Sequence, residues 1–461
     1  MDITRFEDTI AAVSTPPGRS GIGIVRLSGP SALQIAADVF RPANPRRNPL
    51  TQPTYTLSYG HVLDDELIVD EVLLTVMRAP SSYTTQDVVE INCHGGIVAV
   101  RRTLELVLHR GARLADPGEF TKRAYYFGRI DLAQAEAVAD VINAQTEHSR
   151  RAAMAQLSGH LSEAVNGLRE GILSLLARME AAVDFFEEGL ELPDHEQTAT
   201  AISDLREQVA DLLGTAEQGR LLRDGLQVAI VGRPNVGKSS LLNALLRSDR
   251  AIVTPIPGTT RDVIEDSRNI AGIPVRLLDT AGMRSTDSVV EAEGVRRSEQ
   301  AMADADLVLL VIDTSEALTT RDEELLRDAL RRTIVVMNKE DLPACVTAET
   351  VTTLTSAPQI WISARDGTHL QDLEQAISDT VWAGGSGDVT DTIVTNVRHK
   401  TALQQADEAL TRAGDALDSG YSEEFIAADL REALASLDEI VGNFVPEQIL
   451  DRIFAEFCIG K

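Results

Sequence analysis

Cysteine is scarce in this 461-residue chain: Cys93, Cys345 and Cys458 are the only three. They are too few and too scattered for a disulfide framework or a zinc site. Long hydrophobic runs are missing as well. The longest aliphatic stretch, Leu307 to Ile312, falls far short of the roughly 20 residues that a transmembrane helix needs. The first residues include Asp2, Glu7 and Asp8 and no apolar leader, so a cytoplasmic location is expected. No dinucleotide fingerprint is visible, because the Gly21–Gly23 turn lacks the third glycine and the helix of a Rossmann loop. Positive charge is also in deficit: 43 Lys and Arg against 71 Asp and Glu give a net charge of −28. That excludes a protein that binds nucleic acid over its whole surface. Residues 1–130 nonetheless hold 14 basic and 14 acidic side chains, so a polyanion is expected at this near-neutral third or at local basic spots.

What is present is ordinary globular material. Hydrophobic residues make up 43 % and charged ones 25 %, and the length suggests about three domains at roughly 150 residues each. Residues 1–125 mix strand-like runs (Ile22–Leu27, Thr56–Leu63, Val72–Met77, Val88–Asn92) with a helix over Ile97–Arg110 before Gly111, a small α+β module. Residues 126–224 read as helical. Met154, Leu157, Leu161, Val165, Leu168, Ile172, Leu175, Met179 and Val183 predict one long amphipathic helix; Ile202, Leu205, Val209, Leu212 and Ala216 predict another. Residues 225–383 alternate apolar runs (Gln227–Val231, Val275–Leu278, Leu307–Ile312, Thr333–Met337, Ile360–Ile362) with helical stretches, the pattern of a doubly wound parallel sheet. After the linker-like Gly384-Gly385-Ser386-Gly387, residues 384–461 are helical again. The α/β domain therefore reads as an insertion into a discontinuous helical bundle.

Gly232-Arg233-Pro234-Asn235-Val236-Gly237-Lys238-Ser239, followed by Ser240, matches the phosphate-binding loop G-x-x-x-x-G-K-[ST] between a strand and a helix. Its glycines let backbone N–H groups wrap phosphates, Lys238 reaches the β- and γ-phosphates, and the Ser239 hydroxyl suits magnesium. Asp279-Thr280-Ala281-Gly282 supplies a carboxylate for the magnesium shell and a glycine N–H for the γ-phosphate. In Asn338-Lys339-Glu340-Asp341, the Asp341 carboxylate can accept from both N1–H and the exocyclic amine of guanine, a donor pair that adenine lacks. Ser363-Ala364-Arg365 places a backbone N–H for the guanine carbonyl, and in Gly258-Thr259-Thr260-Arg261-Asp262 the hydroxyl of Thr260 is assigned to magnesium. Four motifs in this order define a GTP site. Met283, however, stands where a Ras-like switch carries a water-orienting glutamine, and a thioether can neither accept a proton nor orient water. No arginine finger is evident either.

These residues, with Thr15-Pro16-Pro17-Gly18-Arg19, Gly23-Ile24-Val25-Arg26, Cys93-His94-Gly95-Gly96, Pro117-Gly118-Glu119-Phe120, the run Asp131 to Ala137 and the terminal Phe457-Cys458-Ile459-Gly460-Lys461, make the whole chain resemble the MnmE (TrmE) family of tRNA-modification GTPases. The resemblance implies an N-terminal folate-binding and dimerisation domain, a helical domain and an inserted GTPase domain. It implies a homodimer acting with an FAD-containing partner, in a heterotetramer, to place a carboxymethylaminomethyl or aminomethyl group on uridine 34 of tRNA. The carbon source would be a one-carbon tetrahydrofolate, 5-formyl or methylene. Potassium would replace the arginine finger, ligated by Asn235 and by oxygens of Thr254, Ile256 and Thr259 in the loop Thr254-Pro255-Ile256-Pro257-Gly258-Thr259. Glu291 matches the family's water-positioning glutamate, and Arg26, Glu90, Arg129 and Lys461 match its folate contacts. The chain departs from the pattern at Arg129, where the family usually has lysine, and at Thr85-Gln86, which replaces Gly-Glu.

Cys458 has two readings, a thiol for one-carbon chemistry near the folate and a structural cysteine. Cys-Ile-Gly-Lys is a poor prenylation box, since glycine is not aliphatic. His94 is expected to brace a tight turn. The competing functions are a ribosome-assembly GTPase and a non-enzymatic folate-binding scaffold whose GTPase domain is an assembly switch.

Overall fold

A computed structural model describes residues 6–184, 194–248, 267–278, 302–303, 305–329, 332–382 and 392–461. The N-terminal part contains β1 (Ile10–Val13), β2 (Ile22–Ser28), α1 (Ala32–Val39), β3 (Phe40–Pro42), β4 (Thr56–Asp64), β5 (Leu67–Met77), β6 (Val88–His94), α2 (Ile97–His109), β7 (Arg113–Leu114) and α3 (Glu119–Tyr126). Its sheet has the order β3-β4-β5-β6-β2-β1-β7, antiparallel except for the short β1–β7 pair. Alternation along β2 and β6 buries Val25, Leu27, Val89 and Ile91 against α1 and α2. It leaves Arg26 and Glu90 on the opposite face, paired in register across the two strands. β1 carried no alternation for the sequence to show, because Ile10, Ala11 and Ala12 are all buried.

The helical part follows with α4 (Leu132–Asn143), α5 (Glu147–Leu157), α6 (His160–Asp184), α7 (His195–Gly214) and α8 (Ala216–Asp224). α4 opens on a capping box: Asp131 accepts from Gln134 N, and the Gln134 side chain accepts from Asp131 N. The single helix expected across Met154–Val183 is instead two. Gly159 takes φ of 100°, and a Cβ there would lie 3.2 Å from Gln134 Nε2. The Gln134 amide also donates to Leu157 O at 3.1 Å and so closes α5.

The inserted part holds β8 (Leu226–Val231), α9 (Lys238–Ser248), β9 (Ser267–Ile270), β10 (Ile273–Leu278), β11 (Leu307–Asp313), α10 (Thr320–Arg327), β12 (Thr333–Asn338), α11 (Ala348–Thr352), β13 (Gln359–Ile362) and α12 (Leu370–Val381). The sheet order is β13-β12-β11-β8-β10-β9. It is parallel except at β9, which runs antiparallel to β10 through a tight hairpin. A wholly parallel sheet was expected; the two-residue turn Ala271-Gly272, with φ of 49° and 85°, reverses the edge strand.

α13 (Val397–Asp418), α14 (Glu423–Val441) and α15 (Glu447–Ala455) complete the chain. Residues of α13 and α14, among them Leu403, Leu410, Leu430 and Leu437, share one apolar core with Leu161, Leu168, Ile172, Leu205 and Val209 of α6 and α7. The helices on either side of the insertion thus form one bundle. α15 turns back to the N-terminal part, where Leu450, Phe454 and Phe457 pack with Tyr125 and Leu132.

Candidate GTP site and candidate folate site

The phosphate-binding loop joins β8 to α9 at the C-terminal end of the sheet, where ligands bind in open α/β folds. Gly232, Asn235 and Gly237 take φ of 149°, 66° and 100°, the succession of left-handed residues that lets a loop curl so that backbone N–H groups can cradle an anion. Lys238 is half-buried; its Nζ donates to Gly232 O at 2.7 Å and Arg233 O at 2.8 Å. Burial lowers its pKa. Ser239 and Ser240 are exposed in the first turn of α9, and Asn235 is exposed at the loop crest.

Asn338, at the end of β12, ties this loop to the guanine side. Its Nδ2 donates to Val236 O at 2.8 Å, and its Oδ1 accepts from Ala364 N at 3.1 Å. A Cβ on Gly237 would lie 2.2 Å from that amide nitrogen, so only glycine admits the brace. Lys339, with φ of 70°, donates to the Asp313 carboxylate at the end of β11. Burial alone would raise the Asp313 pKa, but the hydrogen bonds from Lys339 and Ser315 outweigh it and hold it low. Asp341 accepts from Ser363 Oγ at 2.8 Å, which aims the carboxylate. Glu340 N donates to Ile362 O at 3.1 Å, and Arg365, largely exposed, comes within 3.9 Å of Asp341. The structure therefore brings Asn235–Ser240, Asn338–Asp341 and Ser363–Arg365 to one edge. Thr254–Thr260, Asp279–Gly282, Met283 and Glu291 lie outside the described residues. Sequence reasoning missed Asp313, whose one signal was an acid ending an aliphatic run. Arg233 is not a finger in waiting: it pairs with Glu316 at 2.7 Å and Asp322 at 3.3 Å.

A second constellation lies on the free face of the N-terminal sheet. Arg26 Nε donates to Glu90 Oε1 at 2.9 Å, and Arg26 Nη1 to Gly460 O at 3.2 Å. The Arg26 guanidinium lies over the Tyr83 and Phe120 rings at 5.8 and 5.6 Å, while that of Arg129 covers Tyr83 at 4.5 Å. The C-terminal tail is pinned here. A Cβ on Gly460 would meet Val13 O at 2.4 Å, and Gly118 N donates to Cys458 O at 3.4 Å. Burial, then the Arg26 charge, lowers the Lys461 pKa. Arg26, Glu90, Arg129, Cys458 and Lys461 are thus neighbours, though 435 residues separate the first from the last in the numbering. Tyr83 and Phe120 were missed, since nothing local marks an aromatic ring as a platform. Thr85 takes φ of 62°, a backbone region that favours glycine, and Gln86 joins Ser28, Arg123 and Phe6 O through its side chain. His94 does brace its turn: its ring bonds to Asp70 at 2.7 Å and its N–H to the same carboxylate at 2.8 Å.

Two family models cover nearly the whole chain: a GTP-binding protein TrmE N-terminus over residues 9–129 and the MnmE helical domain over residues 132–458. The chain belongs to the MnmE family. A tRNA modification GTPase MnmE of Thermoanaerobacter pseudethanolicus is 46 % identical over 458 residues, 98 % of this chain and 99 % of that protein. A Geobacillus thermodenitrificans protein of the same name is 48 % identical over 468 residues and all of both chains. Among solved structures, the G domain of the T. maritima FeoB iron transporter is 28 % identical and spans 34 % of this chain and 98 % of that one. The TM-score of that likeness is 0.26. Among the described residues no helix is long and apolar enough to cross a membrane.

Proposed function

We propose that this MnmE-family chain hydrolyses GTP and, with an FAD-containing partner, modifies position 5 of the wobble uridine of tRNA using a one-carbon folate. The observation that carries the reading is the convergence of the phosphate loop, Asn338 and Asp341 on one sheet edge in a chain matched end to end by tRNA modification GTPases. Residues 1–125 would form the folate-binding and dimerisation domain, 126–224 with 384–461 the helical domain, and 225–383 the GTPase domain. The working form would be a cytoplasmic homodimer joined to its flavoprotein.

The described residues fit the groups this chemistry needs. Ser239 presents an exposed hydroxyl beside Lys238, a hard oxygen suited to magnesium, with Thr260 assigned to the same ion. Asn235 offers an exposed amide oxygen on a left-handed backbone, suited to potassium, with Thr254, Ile256 and Thr259 assigned as its other ligands. When bound, these cations neutralise charge that moves toward the leaving phosphate. Lys238 adds a fixed positive charge on the same side, and Glu291 is assigned to position the attacking water.

At the second site, the Glu90 carboxylate is held by Arg26 and suits the amino and N–H donors of a pterin. Tyr83 and Phe120 supply ring faces, and Arg129 and Lys461 suit the glutamyl carboxylates. Ser14 Oγ, buried without a partner beside Gly460, is a further polar group for a ligand to engage. Cys458 has its backbone in this site, which keeps open a role for its thiol in one-carbon chemistry.

Incubation of the full chain with partner, tRNA, GTP, methylenetetrahydrofolate and glycine or ammonium, followed by nucleoside mass analysis, should yield modified uridine 34. Glu90→Gln should bind 5-formyltetrahydrofolate about 10–100-fold more weakly, because one charged hydrogen-bond acceptor is worth about 1.5–3 kcal/mol. Its GTP hydrolysis should be unchanged. Wild-type folate affinity in Glu90→Gln would remove the folate assignment, and unmodified tRNA with the complete mixture would remove the function.

A further inference from the structure

The GTP-binding sheet touches the helical bundle through a contact that none of the functional motifs includes. The β9–β10 hairpin turns through Ala271-Gly272, and Gly272 N donates to Asn269 Oδ1 at 2.9 Å. A Cβ placed on Gly272 would lie 2.5 Å from His148 Nδ1 and 2.6 Å from its Cε1. The imidazole of α5 therefore sits directly on the turn's backbone. His148 Nδ1 is buried and has no hydrogen-bond partner, so the ring acts by shape. α5 is itself well fixed. Thr146 caps it by accepting from Ser149 N at 3.1 Å, and Ser149 Oγ donates to Leu222 O at 2.6 Å, on the helix that leads into β8. Ala152, Leu222 and Ile393 then share a small apolar core where the chain enters and leaves the insertion.

The turn lies at one end of β10 (Ile273–Leu278). β10 also pairs in parallel with β8, which runs into the phosphate loop. A hydrogen-bonded strand of this length is stiff, and close-packed interiors pass displacements on rather than absorbing them. We propose that His148, on the helical bundle, is a positioning residue for the GTPase site, acting through the Gly272 turn and β10 on β8 and the phosphate loop that follows it. The proposal rests on the GTPase reading above. It also makes the bundle a participant in setting nucleotide chemistry.

The test is a double-mutant cycle in the full-length chain: wild type, Gly272→Ala, His148→Ala and the double variant. GTP hydrolysis (kcat and KM), affinity for a fluorescent GDP analogue and melting temperature are read for each. The added methyl should push the turn off the ring and lower kcat by about five-fold or more, with KM changed far less. In the His148→Ala background the same methyl meets empty space, so it should lower kcat several-fold less there than in the wild type. The strain of alanine at positive φ is common to both backgrounds and cancels in the cycle. Independent, multiplying effects of the two substitutions would overturn the proposal, as would wild-type kcat in a folded Gly272→Ala protein. Should Gly272→Ala not fold, His148→Ala alone decides: a lowered kcat at unchanged melting temperature supports the contact, and a wild-type kcat overturns it. A wild-type protein that hydrolyses no GTP would instead overturn the GTPase reading itself.

Discussion

Replacing Lys238 with alanine is expected to lower GTP turnover by about 10²–10³-fold, the cost of removing one preorganised group that stabilises charge in a transition state. The side chain is aimed before any nucleotide contact. Its Nζ is held by two carbonyls of the loop, Gly232 O and Arg233 O, at the start of α9, where the helix dipole adds to the positive field. Burial weakens its solvation and lowers its pKa, so a phosphate oxygen has little hydration to displace. Lys238→Arg should not restore the rate, because a planar fork cannot replace a compact ammonium in so narrow a loop. Thermal stability should change little, since the loop faces solvent and the lost partners are backbone carbonyls that water can satisfy. Steady-state phosphate release checks this, and turnover within a few-fold of wild type would contradict the assigned role.

Glu136→Ala should destabilise the helical bundle by about 3–5 kcal/mol, the range for removing one partner of a buried ion pair. Glu136 joins α4 to α13. It accepts from Arg398 Nε at 3.0 Å and Nη2 at 2.7 Å, from His399 Nε2 at 2.7 Å and from Asn396 Nδ2 at 3.1 Å. Arg398 also donates to Ile440 O at 3.3 Å on α14, so loss of the carboxylate leaves a cation stranded among three helices. Burial would raise the Glu136 pKa, but His399 and Arg398 outweigh it and hold it at about 2. That contribution is complete above the ordinary value of 4.5 and is lost as pH falls toward 2. His399 is wholly buried, and burial lowers its pKa below 6.5; its contribution is complete above 6.5 and is lost as pH falls further. Wild-type melting temperature should therefore drop in two stages on acidification, and Glu136→Ala should lose the lower stage. Calorimetry across pH 3–8 resolves the bundle from the other parts. A flat profile below pH 4.5 in the wild type would contradict the pairing.

The sequence disclosed what is local. The phosphate loop, Asn338-Lys339-Glu340-Asp341 and Ser363-Ala364-Arg365 each need a particular backbone turn, and the left-handed φ values of Asn235, Gly237 and Lys339 are the structural form of that need. Alternation along β2 and β6 was equally readable, because one face of the sheet is buried and the other is free. Tertiary facts were not readable. β1 is buried on both faces, so it carries no period. The break at Gly159 depends on a glutamine more than 20 residues away, and the reversal of β9 on a two-residue turn. Tyr83 and Phe120 join Arg26 only once the sheet, α3 and the C-terminal tail are assembled. Asn338 reads as a nucleotide motif residue, while its brace between Val236 and Ala364 emerges only from the sheet order. The family resemblance named Arg26, Glu90, Arg129 and Lys461 as one set, and the fold explains how residues at the two ends of the chain become neighbours.

We propose that a monovalent cation held at Asn235 supplies the charge that an arginine finger provides in other GTPases, Arg233 being engaged with Glu316 and Asp322. The most direct test is steady-state GTP hydrolysis at equal ionic strength in potassium chloride and in sodium chloride, for the wild type and for Asn235→Ala. Hydrolysis at least ten-fold faster in potassium is expected, with the difference abolished in Asn235→Ala. Equal wild-type rates in the two salts, or a potassium stimulation that survives the substitution, would contradict it.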